Sequence, residues 1–174
     1  MNMKNIFIVL LAIVVLITGI LTIRYIRAER LINFSEVIES GNVDDLSLTI
    51  YYLSFLTFTT PALLSIDELV GGWYDHRIVV DGNSLEEHID LLEQIDDAAL
   101  IPVAEESRIR AVLYYVFENN QTGETFSVAL YGRNESMFVN GIEVEANNIF
   151  YDVIIPFLPE RAIEDLETIM NREK

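Results

Sequence analysis

Alternating apolar and polar residues predict two paired strands in the second half of the chain. The stretch "SRIRAVLYYVFE" alternates, the turn "NNQTGE" follows, and "TFSVALYGR" alternates again. If Glu118 pairs with Thr125, apolar side chains lie opposite apolar side chains at every step, whereas a slip of one residue would oppose polar to apolar faces. The pairs predicted on the apolar face are Phe117 with Phe126, Tyr115 with Val128, and Leu113 with Leu130.

Three further stretches predict strands. Residues 45–53 alternate between apolar and polar positions, and "HRIVV" is a short β-type run that ends at the turn Asp81-Gly82. The stretch "SMFVNGIEV" predicts a tight hairpin, because Asn140-Gly141 is a strong turn signal between two apolar runs.

Capping residues and helical periodicity predict three helices. Ser65 with Glu68 begins a short helix that ends at Gly71-Gly72, and Ser84 with Glu87 forms a capping box for a helix over about 85–98. A last helix begins at Pro159. The apolar side of the 85–98 helix contains a histidine that we expect to pack against the core; this side consists of Leu85, His88, Leu91, Leu92, Ile95 and Ala99. The inward positions of the last helix are Ile163, Leu166, Ile169 and Met170.

These elements together predict an α+β fold. It consists of an antiparallel sheet of about five strands with helices packed on it. Residues 147–158 fit either a helix or a strand, because Pro156 interrupts the apolar run.

The N-terminus carries an uncharged apolar run of eighteen residues, Ile6 to Ile23. As a helix the run would be about 27 Å long, close to the hydrocarbon thickness of a bilayer. The apolar region of a cleaved signal peptide is shorter and ends in small residues, which "YIRA" matches poorly. We therefore predict an uncleaved single-pass membrane anchor within residues 1–30, a connecting segment over 31–42, and a single domain over 43–174. A cleaved signal peptide is the main alternative.

The charges that flank this run favour opposite orientations. Arg24, Arg27 and Arg30 follow it, partly offset by Glu29, and a count of basic residues puts that side in the cytoplasm. A very short N-terminus that carries Lys4 is instead typical of a signal anchor, which sends the domain outward. We expect the extracytoplasmic orientation in the cell membrane, with the cytoplasmic one as the alternative.

A second uncharged run, Leu46 to Ile66, competes as a membrane span because it is 21 residues long. It also holds seven serine and threonine residues and a proline, and its first half alternates as a strand does. We therefore expect a strand followed by a loop, and a second span is the alternative.

The chain is strongly acidic beyond its N-terminus. It has 11 basic and 28 acidic residues, of which 4 and 1 lie in the first thirty, so residues 31–174 have a net charge near −20. A phosphate backbone would be repelled, which argues against nucleic acid as a partner. The chain has no cysteine, which both reducing and oxidising compartments allow.

Motifs with known chemistry are missing from the sequence. It contains no G-x-S-x-G elbow, no phosphate-binding glycine loop, no dinucleotide-binding glycine pattern and no H-E-x-x-H. Two histidines, His76 and His88, without any cysteine argue against a conventional zinc site. We predict neither a catalytic residue nor a cofactor nor a metal site.

The stretch "GGWYDH" is the first candidate binding site. Its glycines allow close approach, and Trp73 and Tyr74 offer the broad, rigid contact area that interfaces favour. The alternative is that Trp73 fills the core. The same stretch supplies Asp75 and His76 to an enzyme hypothesis, a carboxylate-based hydrolase.

Three arginines form the second candidate site. The predicted strand pairing places Arg110 opposite Arg133 on the outer face of the sheet, with Arg108 beside them. Like charges directly opposed in a strand pair are destabilising, so we expect an anion between them. It is either a carboxylate of the protein itself or a bound anionic ligand, which arginine's planar fork suits.

An acidic stripe on the 85–98 helix is the third candidate, formed by Glu86, Asp90, Glu93 and Asp97. Such repeated like charges weaken a helix by a few tenths of a kcal/mol per pair. The stripe is either the solvated face of an acidic domain or a docking surface for a basic protein partner or a divalent cation.

In overall build the chain resembles the uncharacterised membrane-anchored small domains of low-GC Gram-positive bacteria. The features that carry the resemblance are the "MNMKN" start, the isoleucine-rich anchor, the helix after "DGNS" and the "FVNGIEV" hairpin. That group has no assigned chemistry, so the resemblance implies no functional residue. We expect a membrane-anchored, non-enzymatic interaction or sensing domain. The alternatives are the hydrolase, or a cytoplasm-facing accessory subunit of a membrane complex.

Overall fold

The computed structural model of the chain describes residues 11–16, 19, 34–39, 43–53, 65–71, 76–96, 98, 100–103, 111–132 and 135–170. The chain divides into two compact units, Met1–Leu31 and Ile32–Lys174. In the first unit, the described residues 11–16 and 19 are helical, and the rest of the predicted anchor Ile6–Ile23 lies outside the described residues. Within the described ranges, no helix has both the length and the apolar character needed to span a bilayer.

The second unit contains six antiparallel strands in one sheet. The strands are β1 (Leu46–Tyr52), β2 (His76–Val80), β3 (Leu113–Asn119), β4 (Thr125–Leu130), β5 (Met137–Val139) and β6 (Ile142–Val144), in the order β2-β1-β3-β4-β5-β6. The helices are α1 (Phe34–Glu39), α2 (Ile66–Gly71), α3 (Gly82–Glu86), α4 (Ile89–Leu92), α5 (Ile149–Asp152) and α6 (Glu160–Met170). Short 3-10 turns occupy Val43–Asp45, Glu93–Ile95 and Ile155–Phe157. The predicted α+β class is confirmed, and the sheet has six strands rather than about five.

The predicted register of β3 and β4 is confirmed at every pair. Glu118 lies opposite Thr125, and the apolar pairs run from Phe117 with Phe126 to Leu113 with Leu130. The turn between the strands fits the short connection, since Gly123 adopts φ +74 and its N–H bonds to the Asn119 carbonyl. A short turn with matched apolar faces therefore fixed this register locally.

The inner face of the sheet is the core of the unit. It includes Leu48, Ile50, Tyr115 and Phe117, all fully buried. The Tyr115 hydroxyl donates a hydrogen bond of 2.8 Å to the Phe150 carbonyl of α5, and burial raises the pKa of this tyrosine well above its ordinary value. Helix α5 is thereby fixed to the inner face.

Helix α1 lies within the segment predicted as a connector, and it packs into the core. The Phe34 ring meets Phe117 and Phe126 edge to face, with centroid distances of 4.7 and 5.3 Å. Val37 is fully buried, and its carbonyl accepts a hydrogen bond of 3.0 Å from the buried Asn119 side chain. The helix that follows the predicted anchor is thus part of the folded unit.

The capping box of α2 is confirmed. Glu68 N–H donates to Ser65 Oγ at 3.2 Å, while Ser65 N–H and Oγ both donate to Glu68 Oε2 at 2.9 Å. These bonds satisfy backbone N–H groups at the helix start that have no partner within the helix.

The same bonds make the cap of α2 sensitive to acid. They hold the pKa of Glu68 below its ordinary value of 4.5. Stabilisation by the Glu68 carboxylate is therefore fully present above that pH and is lost as the pH falls through the folded-state pKa. We expect Glu68→Gln to reduce the loss of stability on acidification, measured by urea unfolding between pH 7 and 3. Asp67→Asn on the same helix is the control; an equal reduction in both variants would contradict the prediction.

The predicted helix over 85–98 is wrong in its start and in its continuity. The cap is Asp81, whose Oδ1 accepts bonds from Ser84 N–H at 3.1 Å and Ser84 Oγ at 2.9 Å, so the helix begins at Gly82 instead. This helix, α3, ends at Glu86. His88 has a φ of −121, outside the helical range, and so separates α3 from α4. Gly82 is held against the backbone of Val43 and Asp44, which fixes this earlier start.

The predicted hairpin turn is confirmed, and the structure decides the conformation of residues 147–158. The turn Asn140-Gly141 joins β5 and β6 with φ values of 49 and 78. Residues 147–158 are helical rather than extended, through α5 and the Ile155–Phe157 turn. In α6 the buried residues are Ala162, Leu166 and Met170, whereas Ile163 and Ile169 are half-buried.

The alternative of a second membrane span over Leu46–Ile66 is wrong for its first part. Residues Leu46–Tyr52 form β1, which lies between β2 and β3 and alternates between buried and half-buried side chains. Residues 54–64 lie outside the described part of the chain.

Candidate functional site

Most of the residues predicted for binding lie outside the described part of the chain. This applies to Trp73, Tyr74 and the neighbouring Asp75 of "GGWYDH" and to Asp97 of the acidic stripe. It also applies to all three arginines of the predicted anion site, Arg108, Arg110 and Arg133. These hypotheses therefore stay predictions.

The other three acidic stripe residues, Glu86, Asp90 and Glu93, are exposed. They lie on α3, α4 and the turn Glu93–Ile95 rather than on one continuous helix. Within the described residues, no group of three or more histidine, aspartate or glutamate side chains is arranged to hold a metal ion.

His88, the histidine that we expected to pack against the core, is half-buried. Its ring contacts the Phe157 ring edge to face, with a centroid distance of 5.1 Å.

The described end of "GGWYDH" belongs to a cluster that we call the β1–β2 corner, defined by Tyr51, Tyr52, His76, Arg77, Arg161 and Asp165. Register brings four of them together, because Tyr52 pairs with His76 and Tyr51 with Arg77 where β1 ends and β2 begins. Side chains alternate between the two faces of a sheet, so the two pairs lie on opposite faces.

On the inner face, the exposed His76 ring stacks on the Tyr52 ring, with a centroid distance of 5.0 Å and an interplanar angle of 23°. Burial raises the pKa of the Tyr52 hydroxyl, Asp165 of α6 raises it further, and Arg161 of α6 opposes them. The hydroxyl thus stays neutral and able to donate a hydrogen bond across the physiological range.

On the outer face, a row of three residues crosses three strands. The Arg77 guanidinium lies 5.9 Å from the centre of the Tyr51 ring, within the range of a cation–π contact. The Tyr51 ring in turn stacks with Tyr114 at 6.1 Å. Burial raises the pKa of Tyr114, and Tyr51 adds to the rise, whereas a hydrogen bond with Ser127 lowers it.

The corner combines cations with aromatic rings. Arg77 and Arg161 belong to it, and the other five basic residues of 31–174 lie outside the described part of the chain. The arrangement supplies stacking area and hydrogen-bond donors.

Sequence reasoning identified His76 but missed Tyr51, Tyr52 and Arg77 as one cluster. Alternation assigned the two strands and their faces, but the pairing of β1 with β2 joins segments separated by a long connection. A useful signal was available in the Tyr-Tyr pair that ends one strand and the His-Arg pair that begins the next.

The fold defines the chain as an α+β protein with a six-stranded antiparallel sheet. No protein-family model, no curated protein and no solved structure matches the chain.

Proposed function

We propose that the protein is a single-pass membrane protein whose α+β domain is a non-enzymatic interaction module. The β1–β2 corner and the adjoining edge strand β2 form its contact surface. The observation that carries this proposal is the exposure of β2: His76, Arg77 and Val79 are all exposed, and 59% of the Val79 surface is accessible. A strand with open backbone groups and an exposed apolar side chain is a template for pairing with another chain.

Two observations support a membrane anchor. The run Ile6–Ile23 has the length of a spanning helix. In its described part, residues 11–16 are helical, and the accessible fraction of five large apolar side chains there lies between 48% and 66%. Exposed apolar surface of this kind is typical of a segment that contacts lipid or another protein.

The domain is proposed to face outward, which leaves Lys4 on the cytoplasmic side of the anchor. The opposite orientation would make the chain a cytoplasm-facing subunit of a membrane complex. Protease treatment of intact cells distinguishes the two: cleavage of the domain supports the outward orientation, and protection of the domain overturns it.

A photo-crosslinking residue placed at position 79 of the full-length chain tests the contact surface. We expect a specific adduct from Val79 and none from Glu124, an exposed residue of the β3–β4 turn that serves as the matched control. Equal adducts at both positions, or none at position 79, would overturn the proposal.

The hydrolase alternative is favoured by one observation, the gathering of titratable groups at the corner. His76 is exposed and stacks on Tyr52, and the charges of Asp165 and Arg161 act on the Tyr52 hydroxyl. The full-length chain and its Asp75→Asn and His76→Gln variants can be compared on chromogenic esters, phosphates and glycosides. Turnover that both variants lose would favour the enzyme.

A further inference from the structure

The two edges of the described sheet differ in how their backbone is used. Beyond β6, the segment 101–103 covers the edge: Val103 N–H donates to the Glu143 carbonyl at 3.0 Å, and Glu145 N–H donates to the Ile101 carbonyl at 2.9 Å. At the other end, β2 pairs with β1 on one side and is the last strand of the sheet. Within the described ranges, its second side is therefore an open edge.

The sequence of this edge is complementary to itself. In an antiparallel pairing of β2 with the β2 of a second copy, centred on Val79, each Val79 faces its equivalent. Ile78 then faces Val80, and Arg77 faces Asp81 on both sides of the two-fold axis. Asp81 can join the pairing because its backbone is extended, with φ −85 and ψ 168.

We propose that two copies of the chain associate edge to edge through β2 in this Val79-centred register, which joins their sheets into one. The proposal rests on the proposed function in one respect: anchoring both copies in one membrane raises their effective concentration. That increase offsets the repulsion between two domains of high negative charge.

Charge selects this register among its neighbours. A pairing centred on Arg77 opposes the two arginines, which is destabilising, and a pairing centred on Ile78 places Arg77 opposite Val79 with no charge partner. Of these three registers, the Val79-centred one gives two opposite-charge pairs. Both bonds from Ser84 end on Asp81 Oδ1, so the carboxylate can accept the Arg77 guanidinium of the second copy at Oδ2.

Apolar burial favours the same register. Val79 is 59% exposed, and facing its equivalent would cover it. Directly opposed residues of antiparallel strands have Cα atoms about 4.5–5.5 Å apart, within the range that a disulfide spans. The register therefore predicts which engineered cysteine links two copies.

Because the natural chain has no cysteine, single-cysteine variants of the full-length protein give an unambiguous test. In lipid vesicles under mild oxidation, we expect Val79→Cys to form a covalent dimer at least about tenfold faster than two exposed controls, since the effective molarity of an aligned pair is high. The controls are Glu124→Cys in the distant turn and His76→Cys, whose equivalents would lie roughly 20 Å apart in this register.

A charge exchange in the Val79→Cys background tests the ionic pairs. Arg77→Glu places an acid opposite Asp81 of the second copy, and Asp81→Lys places a base opposite Arg77 of the second copy. Each variant alone should therefore form the disulfide-linked dimer about tenfold more slowly. A mixture of the two variants restores both opposite-charge pairs, and mixed dimers should form at the original rate. Circular dichroism confirms that the Asp81→Lys chain, which loses its helix cap, is folded.

Three results would overturn the dimer: Val79→Cys linking no faster than Glu124→Cys, His76→Cys linking faster than Val79→Cys, or no recovery in the mixture. A photo-adduct at position 79 with a different protein would overturn it as well. Whether the chain floats with the vesicles tests the proposed membrane anchor independently of the dimer. Chains that float without linking refute only the dimer, and chains that link without floating refute only the anchor.

Discussion

Replacing Gly82 by alanine should lower the free energy of unfolding by about 3 kcal/mol or more, the largest effect that we expect from one added methyl group. A Cβ atom at this position would lie 2.7 Å from Asp44 Cα and 2.9 Å from Asp44 C, and closer still to the Val43 carbonyl oxygen. All three are backbone atoms, so a side-chain rotation cannot relieve the overlap. The residues before β1 and the start of α3 would have to separate.

Gly71→Ala is the matched control, because Gly71 is exposed at the end of α2 and a Cβ there meets no atom within 4 Å. We expect stability to be unchanged or raised by up to about 1 kcal/mol. Urea unfolding of both variants measures the difference. Equal midpoints would show that the contact between α3 and the Val43–Asp45 turn contributes nothing.

Phe34→Ala should cost about 3–5 kcal/mol of stability, the usual range for a buried phenylalanine. The ring is 1% exposed and meets Phe117 and Phe126 edge to face, so its removal leaves a cavity beneath the centre of the sheet. The effect would arise from a residue only eleven positions beyond the predicted anchor.

The control for Phe34→Ala is Ile101→Ala, at an apolar side chain that is 50% exposed. Its expected change is within about 0.5 kcal/mol. Both variants can be compared by urea unfolding followed by tryptophan fluorescence. A loss below about 1 kcal/mol for Phe34→Ala would mean that α1 is not part of the cooperative unit.

The parts of the fold that sequence reasoning predicted are those fixed by short-range chemistry. The β3–β4 register, the Asn140-Gly141 hairpin and the Ser65–Glu68 cap each depend on residues within one turn or one pair of adjacent strands. In each case a slip or a different partner would bury polar atoms or expose apolar ones. Periodicity and turn residues therefore suffice.

The failures depend on contacts between distant segments. Asp81 and Ser84 are both favoured cap residues, so the local pattern allowed either start; the start at Gly82 is the one that lies against Val43 and Asp44, far away in the sequence. The segment predicted as a connector joins the core because Phe34 fits between Phe117 and Phe126. No local pattern contains this information.

The candidate site shows the same limit. Arg77 and Tyr51 are each unremarkable in the sequence, and their contact forms only when β1 and β2 pair. The charge count nevertheless helps, because a domain with only seven basic residues in 31–174 offers few positions where a cation can contact an aromatic ring.

The central position of β1 has a consequence for synthesis of the chain. Its partner β2 begins at His76, whereas its other partner β3 begins only at Leu113, opposite Tyr52. At about 5–20 residues per second, a ribosome takes roughly 3–12 s to make the chain between those two residues. During those seconds the backbone groups of β1 that later bond to β3 have no strand partner, so that edge of β1 stays open until Leu113 and the residues after it are made.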